Sequence, residues 1–210
     1  MRAGGEPPLL VDTSVARNFA VIGWTDHLLR LGEGAIRVAH GVLGVAGDEP
    51  GELDRAREFV QRQTSLHPAG SPAYGTALTA VTNLDDLIAR RPLQVQVLVP
   101  TLDELELALR LQEPAEREWR QELGMKARRL DSGEAVSIAI AVARGMDLGG
   151  DDRDARVAYQ ALGGGRCLWT LDLVCAAVRR GLLSEAEARA GYERLRREYG
   201  FHAPEWPGLT

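Results

Sequence analysis

Four carboxylates far apart in the chain hold the residue types best suited to chemistry. Asp12 ends the apolar run Pro8-Leu9-Leu10-Val11, Glu134 lies in Leu130-Asp131-Ser132-Gly133-Glu134-Ala135, and Asp151-Asp152 precede Arg153-Asp154-Ala155-Arg156. Each stands where a strand or loop hands over to a helix. Carboxylates gathered in a fold repel one another and raise each other's pKa, so such a cluster is stable chiefly around a divalent cation. Mg2+ or Mn2+ is the ion this donor set calls for. Each acid also has a local reading that needs no ion. Asp131 and Glu134 have the spacing of a capping box, Asp12 can cap the helix it precedes, and Asp151-Asp152-Arg153-Asp154 can be a solvated helix start. Both readings stand on the sequence alone.

The elements that position these acids follow from periodicity. Leu9 to Asp12 reads as a short buried strand, and Thr13 to about Leu31 as one or two helices broken near Gly23. Ala35 to Ala39 is a second strand. A polar helix runs from about Glu52 to Gln63, a loop marked by Pro68, Gly70, Pro72 and Gly75 follows, and a helix covers Thr76 to Arg90. Leu93 to Val99 alternates as a strand, and Thr101 with Glu104 caps the next helix, which Pro114 separates from another reaching Leu130. Ser132 to Arg144 is a buried helix, Met146 to Gly149 a strand weakened by glycines, and Arg153 to Leu162 a helix. Arg166 to Trp169 is a strand, Leu171 to Arg180 a buried helix, and Ser184 to Tyr199 a final amphipathic helix. This alternation predicts an α/β fold, three layers α/β/α around a mostly parallel sheet. Ligands in such sheets bind beyond the carboxyl ends of the strands, where Asp12 and Asp151-Asp152 fall.

Composition narrows the function. The 210 residues are 45% hydrophobic and 26% charged, and no apolar run approaches the roughly 20 residues a membrane span needs. A single domain, 1–210, without membrane span or secretory signal is expected, with the cytoplasm as its compartment. The net charge of −5 disfavours a generic polyanion binder but not a nuclease. Nearly every basic residue is Arg, Lys126 being the only Lys. Cys167 and Cys175 read as buried free thiols, and His27, His40, His67 and His202 lack metal-pair spacing. Trp24, Trp119, Trp169 and Trp206 are too dispersed for a stacking platform.

The ordered set of Val11-Asp12-Thr13-Ser14, Leu130-Asp131-Ser132-Gly133-Glu134-Ala135 and Gly150-Asp151-Asp152-Arg153-Asp154-Ala155-Arg156 resembles the PIN-domain family. The likeness is to its bacterial toxin branch, the VapC ribonucleases, and Leu168-Trp169-Thr170-Leu171-Asp172-Leu173 with Arg179-Arg180-Gly181-Leu182-Leu183 extends it. Residues 45–129 match poorly and read as a helical insertion in the middle third. The resemblance implies a metal-dependent endoribonuclease, a toxin of a toxin–antitoxin pair, with RNA as substrate, an antitoxin protein as partner and a homodimer. It implies Asp12, Glu134 and Asp152 as ligands of Mg2+ or Mn2+, with Asp151 as neighbour or replacement. Thr13, Ser14 and Thr170 would be supporting polar groups, and Arg153 and Arg156 phosphate contacts. From the residues themselves, Arg128-Arg129, Arg179-Arg180 and Arg194 with Arg196-Arg197 read as solvated helix faces, with a cationic rim over the acids, headed by Arg128-Arg129, as the alternative.

One family position is empty. A Glu is expected shortly after the second strand, yet Gly41-Val42-Leu43-Gly44-Val45-Ala46-Gly47 holds no carboxylate, the nearest being Asp48, Glu49 and Glu52. Either one of these swings in, or three acids suffice, or the chain is a weakened PIN-like module that binds a protein or RNA. A haloacid-dehalogenase-type phosphohydrolase also begins with strand-Asp, but would need an Asp where Ser14 stands.

Overall fold

The computed structural model describes residues 6–43, 50–90, 93–126, 130–201 and 205–207. The chain runs β1 (Leu9–Val11), α1 (Thr13–Val21), α2 (Thr25–Leu31), β2 (Ile36–Ala39), α3 (His40–Leu43), α4 (Glu52–Thr64) and α5 (Pro72–Ala89). Then come β3 (Val95–Leu98), α6 (Leu102–Gln112), a 3₁₀ turn Pro114–Glu116, α7 (Arg117–Glu122) and α8 (Ser132–Arg144). The last elements are β4 (Asp147–Gly149), α9 (Arg153–Ala161), β5 (Cys167–Leu168), α10 (Thr170–Arg179) and α11 (Glu185–Glu198).

All five strands are parallel, in the order β3-β2-β1-β4-β5. β1 is buried on both faces, which is why it reads as an unbroken Leu-Leu-Val run. The chain builds outward from β1 through β2 to β3, then crosses to the other side for β4 and β5. Helices α1, α2, α4, α5, α10 and α11 pack as one group and α6, α8 and α9 as the other, with α8 against β1, β2 and β4. The reversal between β1 and β4 is the switch point of the sheet, and the crevice outside the carboxyl ends of two such strands is where sheets of this kind take ligands.

Glycine in β4 is a packing requirement. A Cβ on Gly149 would lie 3.1 Å from the Val11 Cγ1, so its absence lets the two central strands close. At the other end of β4, buried Asp147 is neutralised by Arg166, whose guanidinium lies 2.6 Å away, and this explains a charge at the start of a central strand.

The structure departs from the sequence reading in the middle third. α5 begins at Pro72 because Ser71 caps it and proline suits a first helical turn, so Pro72 and Gly75 belong to the helix and not to the loop. The helix after Pro114 ends at Glu122, not Leu130, where Gly124 adopts a positive φ of 84°. Short α3 follows β2 directly. β3 lies within this third and is part of the central sheet, while α4 and α5 pair with each other and against α1. No helix among the described residues is long and apolar enough to cross a membrane.

Candidate functional site

Asp12 leaves β1 as the N-cap of α1. Its Oδ1 accepts from the Val15 N–H at 3.0 Å and the Ser14 hydroxyl at 2.7 Å, and the residue is only 6% exposed. The Ser14 Oγ in turn accepts from the Asp151 N–H at 3.2 Å, joining the ends of β1 and β4 across the crevice. Burial pushes the Asp12 carboxyl up to about 7, and the Asp151 and Glu52 charges push in the same direction.

Asp151 is turned into the protein. Its Oδ1 accepts from the Thr170 N–H at 2.8 Å, and its Oδ2 from the Thr170 hydroxyl at 2.6 Å and the Asn18 amide at 2.9 Å. It thus fixes β4, α1 and the start of α10 to one another. Burial raises its pKa, and the Thr170 and Asn18 hydrogen bonds oppose that rise. Asp152 caps α9, its Oδ1 accepting from the Asp154 and Ala155 N–H groups at 2.7 and 2.9 Å.

Glu134 makes the capping box with Asp131 that the spacing suggested. Its N–H donates to Asp131 at 2.9 Å, and its Oε2 accepts from the Asp131 N–H at 3.3 Å. Capping does not remove it from the acid group. Burial pushes its carboxyl up to about 8, helped by the charges of Asp131, Asp152 and Asp12.

A further acid near Asp12 is Glu52, the first residue of α4. The Thr13 hydroxyl donates to its Oε2, and its carboxylate lies over Gly133. A Cβ on Gly133 would stand 2.7 Å from the Glu52 carboxyl carbon, so glycine there is what lets the acid in. Burial raises the Glu52 pKa, the Thr13 bond opposes it, and the Asp131 charge adds to the rise. Glu52 was one of three candidates near the empty position. Asp48 and Glu49 lie outside the described residues.

Asn18 also belongs to the site and had no sequence signal, being a mid-helix residue six positions after Asp12. It is 1% exposed and donates to Asp151 and Thr170, while its Oδ1 is buried with no donor among the described residues. Such an orphaned acceptor suits a water or hydrated ion.

One oxygen on each of three acids has no donor among the described residues: Asp12 Oδ2, Glu52 Oε1 and Glu134 Oε1. A Cβ on Gly150 would come within 3.2 Å of that Asp12 oxygen, so glycine keeps its surroundings open. Among the described residues no three His, Cys, Asp or Glu side chains are already drawn around one point in a metal-ligating arrangement. Their other oxygens are held by Thr13, Asp131 and the α1 N-terminus. All the groups are oxygen donors, the kind a hard divalent cation takes, and the Glu52 charge raises the Asp12 pKa as the Asp12 charge raises that of Glu134.

The basic residues divide. Arg156 stacks on Trp169, 4.9 Å from the ring centroid, and lies 3.9 Å from Asp172, while Arg153 is exposed in the first turn of α9. Arg180 bonds Glu6 and the Leu31 carbonyl, Arg194 bonds the Val21 carbonyl, and Arg196 pairs with Glu193, so these serve as structural and solvated helix faces. Arg128 and Arg129 lie outside the described residues. Both cysteines are free and buried, and burial pushes the Cys167 thiol up to about 12, which leaves it inert. No protein-family model matches the chain, and neither does any curated protein or solved structure.

Proposed function

We propose that the chain is a divalent-metal-dependent endoribonuclease of the PIN type, with Asp12, Glu52, Glu134 and Asp152 as the acids that hold Mg2+ or Mn2+. The carrying observation is Glu52, tied by Thr13 to the residue next to Asp12 and seated over Gly133 beside Glu134. It is one of the three acids the sequence offers near the family position, and its approach to Asp12 supports the nuclease reading over that of a weakened module. The sheet order and the crevice between β1 and β4 support the same placement.

A bound divalent ion lowers the pKa of its water and stabilises charge on phosphate oxygens. The chain's own part is positional. Ser14 and the Val15 N–H orient Asp12, Thr13 orients Glu52, and the Asp131 cap orients Glu134. Asp151, with Thr170 and Asn18, holds the floor of the site, a positioning role and not a ligand role. Arg153, exposed at the start of α9, and Arg156, over the Trp169 ring, are the guanidinium groups that contact RNA phosphates. A toxin function, with an antitoxin covering the acidic crevice, is the biological setting the resemblance supplies.

The purified chain with Mn2+ should cut labelled single-stranded RNA, and EDTA should stop it. Glu52→Gln keeps the Thr13 hydrogen bond but removes the charge, and should lower the rate by about 10²-fold with the circular dichroism unchanged. Absence of cleavage by the wild type, or a Glu52→Gln rate equal to it, would overturn the proposal. Gly133→Ala tests the same seat from the other side. The methyl group displaces the Glu52 carboxylate, and Mn2+ affinity measured by calorimetry should fall by roughly 10–100-fold, the scale for disturbed ligand support. Helicity should persist, because alanine suits a helix better than glycine.

A further inference from the structure

A cavity away from the acids is lined by arginine. It has a volume of about 420 Å³ and is set between α9, β5 and α10. It reaches Leu9, Asp147 and Cys167, the first residues of β1, β4 and β5, whereas Asp12 and Asp152 follow the carboxyl ends of β1 and β4. None of Asp12, Glu52, Glu134 and Asp152 lines it.

Arg156, Arg166, Arg179 and Arg180 line this cavity, against the carboxylates of Glu6, Asp147 and Asp172. In a chain of net charge −5 that is a local excess of positive charge. Arg166 is spent on buried Asp147, with its Nε at 3.0 Å and its Nη2 at 2.6 Å from one carboxylate oxygen. Arg180 bonds the Leu31 carbonyl and the Glu6 carboxylate, which also lies 3.9 Å from Arg166. The other two are not spent. Arg156 is 3.9 Å from Asp172, beyond hydrogen-bond reach, with its guanidinium over the Trp169 ring, and exposed Arg179 has no acceptor among the described residues.

Glu6 shows what such a cavity takes. Its side chain is half exposed and sits on the segment before β1, so a stronger anion can replace it. A carboxylate brings one charge and two oxygens, which Arg180 and Arg166 already meet. A phosphomonoester brings about −1.5 to −2 in charge at pH 7 and three acceptor oxygens, enough to engage Arg156 and Arg179 as well. The volume also exceeds what a phosphate alone would fill and falls in the range of small-molecule pockets, roughly 300–1,000 Å³. Leu9, Leu31, Leu173 and Ala176 give the rest of the wall an apolar surface for an organic body.

We propose that this cavity binds an organic phosphomonoester of mononucleotide size, its phosphate held by Arg156, Arg179 and Arg180, with Glu6 as the resident anion that it displaces. Arg156 then belongs to two surfaces, one helical turn along α9 from Arg153 at the acid end. The inference does not depend on the nuclease reading.

Calorimetric titration of the metal-free full chain in EDTA tests it, with the four ribonucleoside 5′-monophosphates as probes and adenosine as the uncharged control. At least one nucleotide should bind with one-to-one stoichiometry, and adenosine far more weakly. Arg179→Gln, at an exposed and unpaired position, should weaken that binding by about tenfold, the scale of one lost charge-assisted contact. Glu6→Gln should tighten it severalfold, because it removes the competing charge; a Glu6 that only pins the chain would give no gain. No binding of any of the four at millimolar concentration, an unchanged affinity in Arg179→Gln, or no gain in Glu6→Gln would overturn the proposal. The same titration with 5′-phosphorylated and 5′-hydroxyl RNA of one sequence identifies the source: tighter binding of the phosphorylated strand than of any mononucleotide assigns the cavity to an RNA end, and the reverse order to a free nucleotide. Because no metal is present, a failure of RNA cleavage leaves this result untouched.

Discussion

Asp12→Asn is expected to abolish RNA cleavage and raise the stability of the metal-free protein. Asparagine caps a helix as well as aspartate does, so the Val15 and Ser14 contacts keep their geometry and α1 stays in place. What is lost is a charge held in a fully buried position. For function, losing a ligand charge removes several kcal/mol of transition-state stabilisation, about three powers of ten in rate. For stability, the carboxyl pushed up to about 7 carries a burial cost at pH 8 that the amide does not. Relieving it is worth about 3 kcal/mol, roughly 6–12 °C in melting temperature for a chain of this length. Calorimetry at pH 8 and an RNA cleavage assay check the two halves together. A variant that is both inactive and less stable would mean that Asp12 serves the fold and not a cation.

The same physics sets a pH dependence. Asp12 and Glu134 are pushed up to about 7 and about 8 in the folded chain, from the ordinary carboxylate range near 4 in the unfolded one. Between those limits the folded state holds protons that the unfolded state has released, so stability falls as pH rises from about 4 and levels off once the folded groups have ionised. The metal-free protein should therefore melt at a lower temperature at pH 8 than at pH 5. A loss on the order of 3 kcal/mol is expected, discounted because Glu134 is partly exposed and the two acids titrate together. Mn2+ reverses the trend. It binds the ionised folded site and not the unfolded chain, so its stabilisation grows with pH. Melting curves at the two pH values with and without Mn2+ measure this directly. A metal-free protein that gains stability toward pH 8 would contradict it.

The acids differ in how legible they were. Asp12, Glu134, Asp151 and Asp152 lie where a strand or loop hands over to a helix, and local patterning alone locates such junctions. The capping spacings at Thr101, Asp131 and Ser184 likewise became real caps, because a cap depends on neighbours three residues away. Alternation predicted a mostly parallel sheet, and all its described strand pairs are parallel. Glu52 was legible only as a candidate. It reaches the site through two tertiary features, the Thr13 hydroxyl and the missing Cβ of Gly133, and neither is written in its own neighbourhood. Asn18 had no signal because it acts through residues more than 130 positions away. Pro72 and the segment after Glu122 were misread for a local reason. Proline ends a helix or begins one according to its cap, and Gly124 stopped a helix that periodicity would have continued.

The role of Glutamate 134 also changed. The sequence posed capping and ion binding as alternatives, and the geometry makes them compatible, since one oxygen is spent on the Asp131 N–H while the other has no donor among the described residues. Asp151 moved the opposite way, from neighbour of a ligand to a carboxylate whose two oxygens are bound by three donors.

The central claim is that Asp12, Glu52, Glu134 and Asp152 share one cation. Anomalous diffraction at the manganese edge from crystals soaked in Mn2+ tests it most directly. The account predicts a peak in the crevice between the ends of β1 and β4, bonded to Asp12 Oδ2 and to a Glu52 oxygen, and lost in Glu52→Gln crystals. A crevice without a peak at saturating Mn2+, or a peak bound by other residues with Glu52 still turned to Thr13 alone, would contradict it.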